Sequence, residues 1–160
     1  MAVLDAGPLN SKAVVADSFA LYALATEHTA PAEEMRASVG RGGLTLTVSA
    51  LAVATASGMR TCWDEHCSRS HRPDVATLVR RLCAGPGVEV VEMDLNASIA
   101  AGRLYASSSA VRVEGPEVLA GCHTALLADE LGCRVLTVAR AAYCYTSPAV
   151  RELGCRLMLL

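Results

Sequence analysis

The chain predicts an α/β domain of three layers, α/β/α, around a central, mainly parallel sheet. Three observations lead there. Short runs with β-branched or apolar content recur: AVV at 13–15, LTLTV at 44–48, VEVVEM at 88–93 and CRVLTVA at 133–139. Helix-length segments with recognisable starts and stops separate them. Apolar residues make up 52% of the chain and charged residues 19%, enough to cover a sheet on both faces.

Residues 1–12 lack periodicity and hold Gly7, Pro8 and Asn10, so they read as a loose leader before a single domain over 13–160. The first strand ends at Asp17, and a helix follows from Ser18 to about Glu27 with Phe19, Tyr22, Ala23 and Leu24 toward the core. Pro31 with Glu33 and Glu34 opens a second helix, which Gly40, Gly42 and Gly43 stop. After the strand at 44–48 an Ala-rich segment runs to Gly58, and a polar insertion spans 60–73. Asp74 caps a helix through Cys83, ended by Gly85-Pro86-Gly87. Asp94 caps the next helix, LNASIAAGRLYA, and a Ser-rich stretch at 107–109 leads into an irregular loop. Gly115-Pro116-Glu117 opens a long helix, Ser147-Pro148 starts a last one ending at Gly154, and CRLMLL closes the chain as a strand. In a parallel sheet of this kind the site lies beyond the carboxyl ends of the strands, where Asp17 and Ala139 both fall.

A length of 160 residues suits one domain with a single core. With 14 basic and 16 acidic residues the formal net charge is −2, which argues against strong nonspecific attraction to nucleic acid. Apolar stretches fall short of the roughly 20 residues of a membrane span, and the first residues lack a secretory pattern, so the expected location is cytoplasmic. Seven scattered cysteines fit free, mostly buried thiols there.

Three segments together resemble the PIN domain family. VVADSFALYAL is similar to its opening strand and helix, VEVVEMDLNASIAAGRL to its capped middle helix, and HTALLADELGCRVLTVAR to its late helix, Leu-Gly turn and last catalytic strand. The resemblance covers residues 13–160 and implies metal-dependent cleavage of phosphodiesters, usually RNA. That chemistry needs carboxylates, because Mg²⁺ and Mn²⁺ prefer hard oxygen ligands and lower the pKa of an attacking water.

Position by position the carry-over is sparse. Asp17 matches the family's first acid and Thr137 its motif threonine, while His123 matches a histidine some relatives carry. Thr55, Gly121 and Ala139 stand where the second, third and fourth acids are expected. The resemblance therefore implies a degenerate site and an interaction or regulatory module, with a homo-oligomer or a protein partner expected. Its rival is a toxin-type ribonuclease that binds Mg²⁺ or Mn²⁺ through Asp17 and unconventional ligands such as Glu117, with RNA as substrate.

Other candidates have plainer readings beside the chemical ones. Asp17 at a strand end also suits a helix cap, and Glu117 in a first helical turn suits the helix dipole. Cys122 and His123 are adjacent, so they point about 100° apart on a helix and read as packing residues. Cys62, His66, Cys67 and His71 form a zinc-like set in an otherwise polar connector. Arg60, Arg69, Arg72, Arg80 and Arg81 read as a solvated face diluted by acids. Cys144, between Tyr143 and Tyr145, lacks an evident base and is no expected nucleophile.

Overall fold

The computed structural model describes residues 12–59, 74–108 and 115–160. The leader up to Ser11, the whole 60–73 insertion with its Cys62, His66, Cys67 and His71, and the loop at 109–114 lie outside the described residues.

Five strands form one sheet in the order β3-β2-β1-β4-β5, every neighbouring pair parallel. They are β1 (Ala13–Ala16), β2 (Thr45–Ser49), β3 (Val88–Val91), β4 (Arg134–Thr137) and β5 (Leu157–Leu159). Parallel neighbours need crossovers, and helices supply them. The helices are α1 (Ser18–Thr26), α2 (Ala30–Gly40), α3 (Ala50–Ser57), α4 (Val75–Cys83), α5 (Leu95–Ser108), α6 (Pro116–Glu130) and α7 (Pro148–Glu152). A 3-10 helix, Ala139–Tyr145, joins β4 to α7. The architecture is the expected three-layer α/β/α domain.

Strand alternation divides the core. On central β1, Val14 and Ala16 pack to one face with Leu21 and Leu24 of α1, Val39 of α2 and Val79 of α4. Val15 packs to the other with Val118, Cys122 and Ala125 of α6 and with Cys144 and Tyr145 of the 3-10 helix. Both faces are covered, so the central strands can be apolar throughout.

Most element ends follow local chemistry. Asp17, Ser49, Asp74 and Ser147 accept from the N–H groups of Ala20, Ala52, Ala76 and Val150, each capping the helix that follows. Gly87 turns α4 into β3 at φ +75°, with Val39 O so close that a Cβ would lie 2.6 Å from it. Two differences from the sequence reading stand out. The middle helix runs through Ser108, where Ser107 and Ser108 bond back to the carbonyls of Arg103 and Leu104 and so stay helical. The last strand is Leu157–Leu159, half the expected length, because β5 has β4 on one side alone and pairs with only three of its residues. Among the described residues no helix is long and apolar enough to cross a membrane.

Candidate functional site

The strand order turns around β1: β2 and β3 lie on one side, β4 and β5 on the other. The crevice beyond the carboxyl ends of β1 and β4 is thus the topological switch point, where ligands bind in open α/β sheets. Asp17 follows β1 there, its N–H bonded to Leu136 O of β4 at 3.0 Å. Thr137 ends β4. The fold thereby joins two sequence-predicted residues 120 positions apart.

The Asp17 side chain is fully engaged. Oδ1 accepts from Ala20 N at 2.7 Å. Oδ2 accepts from Thr137 Oγ1 at 2.5 Å and from the Tyr145 hydroxyl at 3.0 Å. Asp17 is 1% exposed, Thr137 0% and Tyr145 6%. Burial pushes the Asp17 carboxyl up from its ordinary range, and the bonds from Ala20, Thr137, Tyr145 and Phe19 oppose that rise. Burial, the Asp17 charge and the bond to it also hold the Tyr145 phenol well above its usual range, so it stays a donor.

Gly121 of α6 sits against this cluster. A Cβ there would lie 3.2 Å from Cys144 Cβ and 3.8 Å from the Tyr145 hydroxyl. The room left by the missing side chain is filled by the 3-10 helix. Cys144 is buried, and burial together with Asp17 pushes its thiol up to about 12. It is therefore a protonated packing thiol at neutral pH.

No protein-family model matches the chain, and no curated protein matches it.

The remaining predicted positions are dispersed. Thr55 is half-buried on α3 and Ala139 is exposed at the start of the 3-10 helix. Glu117 is half-buried in the first turn of α6, and its charge, like that of Asp17, raises Tyr143 and Cys144. His123 is 1% exposed, with Nδ1 lacking a hydrogen-bond partner. Burial lowers its pKa, and the carboxylates acting on it are Asp94 and Glu130. Neither belongs to the Asp17 cluster. Among the described residues, no three His, Cys, Asp or Glu side chains converge as a metal-ligand set.

Sequence reasoning missed Tyr145. One signal was present: a tyrosine shortly after a buried strand, in a chain with four tyrosines and one phenylalanine. A buried tyrosine needs a partner for its hydroxyl, and the acid ending the neighbouring strand is the nearest candidate.

Proposed function

We propose that this chain is a degenerate PIN-like domain without efficient nuclease activity, acting as an interaction or regulatory module. The observation that carries the reading is the saturation of Asp17. A hydrated Mg²⁺ takes six oxygen ligands at about 2.0–2.1 Å and keeps several waters. Asp17 offers one carboxylate, with Oδ1 on the α1 cap and Oδ2 shared by two hydroxyl donors. Tyr145 and Cys144 fill the space beside Gly121. This donor set does not fit the ion, so no catalytic step runs through it. The carboxylate serves instead as a strut joining β1, β4, α1 and the 3-10 helix.

The interaction role draws on apolar side chains left outward, among them Leu95 at 75% exposure and Leu159 at 59%. A second copy or a protein partner is the occupant the reading favours, with the cytoplasm as its setting.

The test is an RNA cleavage assay with Mn²⁺ and Mg²⁺ on wild type and Asp17→Asn, beside light scattering of the purified chain. The expected result is background cleavage for both proteins and a stable oligomer or stoichiometric protein complex. Metal-dependent cleavage by wild type that Asp17→Asn removes would overturn the reading in favour of a ribonuclease.

A further inference from the structure

The amino edge of the sheet, opposite Asp17, carries a cleft of about 660 Å³. Small-molecule sites usually span roughly 300–1,000 Å³. Buried Leu24 and Leu46 form its floor, and half-buried Leu78, Leu82 and Val88 form its walls. No Phe, Tyr or Trp ring and no carboxylate lines it among the described residues. The basic side chains on its rim are His28, Arg36 and Arg81.

These three groups are not equivalent. His28 Nδ1 lies 3.6 Å from the Glu33 carboxylate. Arg36 Nη1 donates to Leu24 O at 2.6 Å and Glu27 O at 2.9 Å, covering the C-terminal carbonyls of α1 that would otherwise repel an anion. Arg81 is exposed and makes no ion pair among the described residues. One guanidinium is thus uncommitted above an aliphatic floor.

We propose that this cleft binds an aliphatic monocarboxylate of medium chain length. The chain lies on Leu24, Leu46, Leu78 and Leu82, and the carboxylate meets the Arg81 guanidinium, whose planar fork matches it in two parallel hydrogen bonds. An aliphatic tail fits a floor and walls of Leu and Val side chains. A single negative charge fits a single uncommitted guanidinium. The site is independent of the Asp17 cluster, which lies at the other end of the strands.

The probe is decanoate, titrated calorimetrically into the full chain, with decyltrimethylammonium as the opposite-charge control. Two variants test the geometry. Arg81→Glu reverses the charge of the head-group site at an exposed position that makes no ion pair among the described residues. Gly40→Leu places a side chain at the cleft wall, where a Cβ meets nothing within 4 Å and the backbone is not left-handed. Saturable one-to-one binding of decanoate is expected, weakened about tenfold or more by Arg81→Glu. Gly40→Leu abolishes it while the unfolding midpoint is retained, and Asp17→Asn leaves it unchanged. Absence of saturable binding, equal affinity for the cation, or affinity unaffected by both cleft variants overturns the proposal.

Discussion

The two edges of the sheet are finished in opposite ways by the same five strands. At the carboxyl edge, three polar side chains from β1, β4 and the 3-10 helix close on one another and exclude solvent. At the amino edge, α1, α2 and α4 leave an aliphatic cleft with a basic rim. Parallel α/β sheets usually keep their ligand crevice at the carboxyl end. Here Asp17, Thr137 and Tyr145 satisfy one another. Ser18 Oγ beside them is buried without a partner among the described residues, and an open cleft lies at the amino edge instead. Buried polarity that is fully paired is a structural device, because none of its hydrogen-bonding capacity remains for a ligand.

The largest expected effect breaks the closed edge. Asp17→Ala removes the α1 cap and leaves the Thr137 and Tyr145 hydroxyls buried without their acceptor, a loss of about 2–4 kcal/mol. Urea unfolding measures it. A loss under about 1 kcal/mol would mean that the carboxylate contributes little to holding the edge shut.

Tyr145→Phe is gentler, since it deletes one donor and keeps the ring against Gly121. It is expected to cost about 1.5–3 kcal/mol, the range for hydrogen bonds to charged groups. The remaining Asp17 carboxyl should then titrate higher, which carbon-detected NMR of the side chain reads directly.

At the open edge, Arg36→Met keeps the aliphatic stem and removes the bonds to Leu24 O and Glu27 O. The expected cost is about 1 kcal/mol, smaller because the guanidinium is only half-buried and its carbonyl partners can turn to water. Thermal melts of this variant and Tyr145→Phe side by side rank the two edges.

The smallest effect is a pH slope. The Asp17 carboxyl is raised above its unfolded value near 3.8. The folded state therefore binds this proton more tightly, so the group's contribution is fully present below that value and is lost as pH rises through the folded pKa. Unfolding midpoints of wild type minus Asp17→Asn should shift in favour of wild type as pH falls from 7 toward 4. His123, lowered by burial, works in the reverse sense, because charging it in the unfolded chain favours unfolding below about 6.5. It is common to both proteins and cancels in the difference.

Much of the fold was legible because its signals are local. Asp17, Asp74, Asp94 and Ser147 each cap a helix that begins at the next residue, and the capping bond reaches two or three residues ahead. The apolar run of β1 and the β-branched and aliphatic residues of β2 and β4 mark strands whose successive residues are buried. The site was legible in part. Asp17 and Thr137 follow from strand-end position, whereas Tyr145 belongs to a 3-10 segment that no periodic pattern announces, seven residues of it with four alanine or arginine positions leading to the aromatic pair. Gly121 looks like a lost acid in the sequence. In three dimensions it is also the gap into which Cys144 and Tyr145 pack.

By itself, the order of residues determined the alternation of strands and helices, the helix caps, and the neutral side chains at Thr55, Gly121 and Ala139. Each depends on interactions within a few residues, or on which side chain is absent. Only the tertiary structure decided that Asp17 is shut in by a tyrosine 128 residues away, and that an open cleft lies at the other end of the sheet. Both depend on how crossovers bring distant segments together, and on what space those segments leave unfilled.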